Sequence, residues 1–261
     1  MLGLGNTLSG GIVPAAAAVA SFSDTKAING MDSGSKYLHS TSNLTDIFTG
    51  ASQQTWTFVM RFYHNSTGNK GFFHFTFASG ENIYMQNFGQ TLWWLFYNGT
   101  SSNDHMPIYT TGGGIGDENV TMTLTKTGDT LEDLKLYANG GSAHDTNQNA
   151  TNTIPVITSA MSDLKLGYRG GIFHFSTNKF NDFAIFDGSF SEAEATEAYN
   201  SGTTLDLRTH SRASDLEHYW LMGDGDDGAG NDDGTGNVIF DMEGSCDLSM
   251  MGIDATDIVL W

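Results

Sequence analysis

The stretch Thr55-Trp56-Thr57-Phe58-Val59-Met60-Arg61-Phe62 decides how the rest of the chain is read. Trp56, Phe58, Met60 and Phe62 occupy alternate positions, so in an extended backbone they share one face, opposite Thr57, Val59 and Arg61. The same period recurs on both sides of it. Phe73, Phe75 and Phe77 alternate with His74 and Thr76. Val120, Met122 and Leu124 alternate with Thr121, Thr123 and Thr125, which predicts a half-buried strand with a threonine outer face. Leu134-Lys135-Leu136-Tyr137 runs into Asn139-Gly140, a dipeptide suited to a hairpin turn. Further strands are expected around Leu92–Phe96, Leu164–Tyr168, Phe183–Phe186, His218–Met222 and Val238–Phe240. Short strands at this spacing, without helices between them, predict a two-sheet antiparallel sandwich.

One helix interrupts the pattern. Ser191 can act as N-cap with Glu194 three residues on, a capping box; Phe190 and Ala195 occupy the staple positions, and Gly202 can end the helix. Residues 1–35 are rich in Gly, Ala and Ser and show no sustained period, so they read as an extended N-terminal arm. Residues 36–261 then form a single domain, with 203–261 supplying its closing strands.

Composition narrows the function classes. Eleven Lys and Arg against 30 Asp and Glu leave 261 residues with a formal charge of −19. Phosphate backbones and anionic lipid repel such a chain, so nucleic acid and membrane surfaces are not expected partners. Seventeen Phe, 9 Tyr and 5 Trp supply an ample core, and 32 Gly suit many turns. The apolar run Ile12–Phe22 is too short to span a bilayer. The one cysteine, Cys246, lies among Asp241, Glu243 and Asp247, which disfavour a thiolate, so it reads as structural.

Around the helix the chain resembles a known family. Leu164-Lys165-Leu166-Gly167-Tyr168-Arg169-Gly170-Gly171, then Phe180–Phe186, then Phe190-Ser191-Glu192-Ala193-Glu194 and Tyr199-Asn200, is similar to the closing segment of laminin-G-like, concanavalin A-like jelly rolls. Tyr219-Trp220-Leu221-Met222-Gly223-Asp224-Gly225 with Gly230–Thr235 resembles the stretch that usually opens such a domain, here placed after the helix. That order, with the tail Asp257-Ile258-Val259 and the start Met1-Leu2-Gly3-Leu4-Gly5-Asn6, resembles structural proteins of marine tailed phages. The resemblance covers residues 36–202 and implies an all-β jelly-roll sandwich with one short helix near 191–200. It further implies a virion structural protein on the particle surface, a capsid decoration or a tail or fibre appendage, made in the host cytoplasm. Other capsid or tail subunits would be its partners, and it would form a homo-oligomer. The alternative is a lectin-like carbohydrate-binding module for host-surface or environmental glycans, with Ca²⁺.

The candidate site residues are few. Glycosidase chemistry needs paired carboxylates flanking the scissile bond, but Glu192, Glu194 and Glu197 fall on the helix and Asp117, Glu118, Glu132 and Asp133 at turns. No catalytic constellation is expected, and the chain reads as a non-enzyme. The loop Asp224–Asp233 carries five carboxylates among glycines, with Asp224, Asp226 and Asp232 as candidate Ca²⁺ ligands. It fails as an EF-hand, and the same composition also describes a solvated, self-repelling turn. Phe73-His74-Phe75 and Phe173-His174-Phe175 repeat one motif without a third metal ligand in view, so the histidines are expected to face solvent or a subunit neighbour. Of Trp93 and Trp94, adjacent in a strand, one is expected in the core and the other on a binding or assembly surface. Ile12, Val13 and Phe22 of the arm are expected to dock in a groove and anchor the module.

Overall fold

The computed structural model of the chain describes residues 22, 24–31, 35–41, 55–64, 70–78, 80–88, 91–97, 108–110, 118–129, 133–142, 160–169, 173–174, 179–224 and 238–261. Two antiparallel sheets face each other. The seven-stranded sheet runs in the order β17 (Ile258–Leu260), β1 (Lys26–Asn29), β13 (Lys179–Asp187), β3 (Trp56–His64), β8 (Glu118–Lys126) and β9 (Leu134–Ala138), with β14 (Leu216–Leu221) also on β13. The eight-stranded sheet runs β15 (Val238–Ile239), β16 (Leu248–Met251), β2 (Tyr37–Ser40), β10 (Met161–Leu166), β4 (Lys70–Phe77), β5 (Asn82–Phe88), β6 (Thr91–Tyr97) and β7 (Ile108–Thr110). A small pair, β11 (Tyr168–Arg169) and β12 (Phe173–His174), follows β10.

The alternation predicted for β3 builds the core. Trp56, Phe58, Met60 and Phe62 point inward and meet Phe73 and Phe75 of the opposite sheet. The Phe58 ring lies 5.6 Å from that of Phe73 and 5.4 Å from that of Phe75, centroid to centroid. Phe183 of β13 stacks on Trp220 of β14 at 5.7 Å. Such aromatic pairs add to the burial of their apolar area.

The opposite face departs from the sequence expectation. Thr121, Thr123 and Thr125 are buried, and so are Thr57, Val59 and Arg61. The cause is the segment from Gly188 to Asp215, which folds across the outer side of this sheet. Its helix α1 (Glu192–Tyr199) carries the predicted capping box: Ser191 accepts the Glu194 N–H, and Glu194 accepts the Ser191 N–H. Phe190, Ala198, Leu207 and Tyr219 pack against Val59, Ala184 and Phe186 in a second apolar cluster, with Phe22 at its edge. Thr57 and Thr125 offset the burial of their hydroxyls by hydrogen bonding. The Phe190 N–H donates to Thr125 Oγ1 at 2.9 Å, Thr125 Oγ1 lies 2.9 Å from Thr57 Oγ1, and Thr57 donates to the Gly188 carbonyl at 2.8 Å.

Three local expectations are corrected. Lys26–Asn29, inside the stretch read as an irregular arm, is strand β1. The helix ends at Tyr199, and Asn200 rather than Gly202 takes the left-handed C-cap, with φ 47°. Asn139 and Gly140 do turn, both with positive φ, but among the described residues no strand returns beside β9. The turn docks on the helix instead, where Thr196 Oγ1 donates to the Gly140 carbonyl at 3.0 Å. From Leu216 onward the C-terminal strands divide between the sheets: β14 and β17 join the seven-stranded sheet, β15 and β16 the eight-stranded one.

The buried threonine chain yields a test. Thr125→Val keeps the shape and adds apolar surface, yet strands the Phe190 N–H without an acceptor, a loss of about 1–3 kcal/mol. Denaturant unfolding should show that loss, and a variant as stable as the wild type would remove the hydrogen-bond chain from the account.

Candidate functional site

The outer side of the eight-stranded sheet is built differently from every other surface of these strands. Pairing carries one row of residues across five strands: Ser249 opposite His39, His39 opposite Lys165, Lys165 opposite His74 and His74 opposite Tyr84. Directly paired residues share a face, and with strands about 4.8 Å apart this row spans roughly 19 Å. Its side chains are mostly half-buried, and they are polar or aromatic where the inner face is mainly apolar.

A backbone device completes the site. Gly167 follows β10 with φ +77°, its N–H donating to the Phe72 carbonyl at 2.6 Å. A side chain here would be strained at this φ and would overlap Met31 Sδ. The kink takes the chain out of the sheet into β11. Arg169 then lies with its guanidinium 4.2 Å from the Tyr84 ring centroid and donates to Tyr84 Oη at 2.7 Å. The Tyr168 ring sits 5.0 Å from that of Tyr37, and Lys165 Nζ lies 5.7 Å from the Tyr168 ring centroid.

Polar groups are held in place between the rings. Burial pushes the His74 imidazole below its ordinary value, partly opposed by its hydrogen bond to Asn82. The neutral ring donates from Nε2 to Asn82 Oδ1 at 2.8 Å, an assignment set by the Asn82 amide donating to the Gly80 carbonyl. That tautomer leaves Nδ1 as an acceptor. His39 Nε2 lies 2.6 Å from Asp163 Oδ1, and Lys165 pairs with the other oxygen of the same carboxylate. Rings beside fixed donors and acceptors are the chemistry that binds a ligand with alternating C–H and hydroxyl faces.

The sequence candidates fall in several places. Trp93 pairs with Gln86 and Trp94 with Met85. The register thus puts position 93 on the face of Gln86 and Tyr84, and position 94 on the face of the core residue Met85. Asp224 is occupied within the fold, since its Oδ2 accepts the N–H groups of Thr25 and Lys26 at 2.6 and 2.5 Å. Asp226, Asp232, Ile12 and Val13 lie outside the described residues, as do the side chains of Phe173 and His174. Phe22 is partly buried against the second apolar cluster. Among the described residues no group of three or more His, Cys, Asp or Glu could hold a metal ion. Cys246 is buried, and desolvation pushes its thiol up to about 11, in keeping with a structural part. The sequence reading missed His39, Tyr84, Lys165 and Arg169. The one available signal was the polar residue set between Phe73 and Phe75.

A second polar cluster lies beneath, on the covered side of the other sheet. Arg61 and its register partner Asp182 meet at 2.6 Å, with side chains 3% and 0% exposed. Arg61 also donates to the carbonyls of Ala198 and Leu205, at 3.1 Å from Nη2 and 3.1 Å from Nη1. Asp24 accepts from Asn181 at 2.5 Å and stands 3.7 Å from Arg61. Two buried carboxylates face one guanidinium, an arrangement that favours a proton on one of them at neutral pH. Desolvation and then the Asp182 charge push Asp24 up to about 8, while desolvation against the attraction of Arg61 leaves Asp182 at about 6. The close contact with Arg61 assigns the ionised state to Asp182. The cluster ties residues 24–26 to β3, β13, the end of α1 and β14.

No family model and no curated protein matches the chain. Solved structures do. A Bacteroides ovatus protein provisionally classed as carbohydrate-binding matches at 14% identity and TM-score 0.56, over 92% of this chain and 60% of that one. The receptor-binding domain of botulinum neurotoxin C/D mosaic serotype matches at 13% identity and TM-score 0.52, over 70% of this chain and 44% of that one. A heptameric SAP-like pentraxin of Limulus polyphemus aligns at 15% identity and TM-score 0.46, over 67% and 82%. The fold is an antiparallel two-sheet jelly-roll sandwich. The chain spans less than two thirds of the length of the first two structures.

The buried cluster makes stability depend on pH with a definite sign. Asp24 titrates near 8 when folded against an ordinary 3.8, so between those values the folded chain binds the extra proton. Its contribution is therefore full below pH 3.8 and is lost as pH rises through 8. Asp24→Asn fixes the neutral form. Melting curves between pH 5 and 9 should show the variant gaining on the wild type as pH rises, and parallel profiles would contradict a protonated Asp24.

Proposed function

We propose that this chain is a carbohydrate-binding jelly-roll module whose ligand lies across the outer side of the eight-stranded sheet. The observation that carries the reading is the row His39, Lys165, His74 and Tyr84, flanked by Tyr37, Tyr168 and Arg169. It offers rings for the apolar faces of a sugar and oriented polar groups for its hydroxyls, on a rigid strand scaffold rather than on loops. The fold likeness to a provisionally carbohydrate-binding protein and to a receptor-binding domain agrees with this use. On a virion surface, the setting implied by the phage-like sequence features, such a module would attach the particle to host or environmental glycans. Other capsid or tail subunits would be its protein partners.

A glycan array probed with the full chain tests the reading, and at least one glycan should be retained. Tyr168→Ala should then weaken the best binder about tenfold, the usual cost of losing an aromatic anchor, with the melting temperature checked in parallel. Repeating the titration in EDTA shows whether calcium at the 224–233 loop takes part. An array with no retained glycan would end the proposal.

A further inference from the structure

We infer that the ligand of this face carries a negative charge: an anionic sugar residue, bearing a carboxylate or a sulfate. The inference rests on the carbohydrate-binding reading and deepens it. The eight-stranded sheet and the β11–β12 pair contain three Lys or Arg, at positions 70, 165 and 169, and one acidic residue, Asp163. Their net charge is +2 in a chain whose total is −19. Most acidic residues thus lie outside these strands, whose outer side is lined with rings and polar side chains.

Two of those cations are placed on the face itself. Arg169 and Lys165 lie over Tyr84 and Tyr168, at 4.2 and 5.7 Å from the ring centroids. A guanidinium laid on a ring keeps its charge, sheds part of its water at low cost and presents a planar fork that fits a carboxylate or sulfate. Asp163 is shared between His39 and Lys165, so the single carboxylate on this face is matched there and in turn offsets part of the Lys165 charge. At physiological ionic strength charges beyond about 8 Å are screened, so an anionic group on the sheet feels the local surplus of cations more than the acidic remainder of the chain.

The test uses the full chain on an array carrying neutral, carboxylated and sulfated glycans in equal number. Retention of anionic glycans over neutral ones is expected, and the array itself separates carboxylate from sulfate. Arg169→Gln and Lys165→Gln should each weaken the best anionic glycan about tenfold, the usual loss for a hydrogen bond to a charged group. Affinity for that glycan should also fall with added salt, more steeply for the wild type than for Arg169→Gln. Unchanged circular dichroism and melting temperature exclude misfolding, and Arg169→Lys should recover part of the loss. Retention of neutral glycans alone, or indifference to both substitutions, would overturn the anionic ligand while leaving a sugar-binding module. Retention of nothing would overturn the module reading itself.

Discussion

Strand β13 is the member on which the rest of the sandwich depends. One of its edges is filled by β3 along its whole length. The other is divided, with Phe180 paired to β1 and Asp182–Phe186 to β14. Both of its faces are buried, Phe183 and Ile185 in the central core and Ala184 and Phe186 in the second cluster. A strand enclosed on four sides can carry a polar residue only where a partner is supplied, which is why Asp182 comes with Arg61, and Arg61 with the carbonyls of the helix end and the Leu205 loop. The segment that covers the outer face is thereby fixed at its own polar points as well as by its apolar ones.

This enclosure also explains what could and could not be read from the sequence. The inner face was legible because Trp56, Phe58, Met60 and Phe62 are large and evenly spaced, and the helix because a capping box is a local device. The covering of the outer face was not. Thr121, Thr123 and Thr125 look alike under water and under a helix, and the hydroxyl chain from Phe190 to Gly188, which runs through Thr125 and Thr57, is a feature of the folded chain that no local pattern announces. Strand β1 escaped notice since four residues of mixed polarity have no period of their own; their place is set by β13 and β17. Asn139-Gly140 announced a turn correctly, but turn chemistry does not say which neighbour the chain meets next.

The candidate site was the least legible part, for a topological reason. Each of its residues is one unremarkable polar or aromatic position within a strand, and they come together only through pairings between strands distant in sequence, such as His39 with Lys165. The family-like segment around Gly167 marked the place without its purpose. Its glycine turns out to be a pivot that carries Tyr168 and Arg169 from the end of a strand onto the neighbouring rings.

The row from Ser249 to Tyr84 therefore has no existence short of the finished sheet. Its five contributors arrive from positions near the start, the middle and the end of the chain, so none of it can be cut out as a peptide or transplanted as a loop. Loop closures of this length make assembly slow compared with local hairpins. The same dependence works in reverse once a ligand is held. A molecule bridging these strands recognises the folded chain alone, so its binding free energy is added once, to the folded state as a whole. Occupancy of this face and stability of the sheet would then rise together.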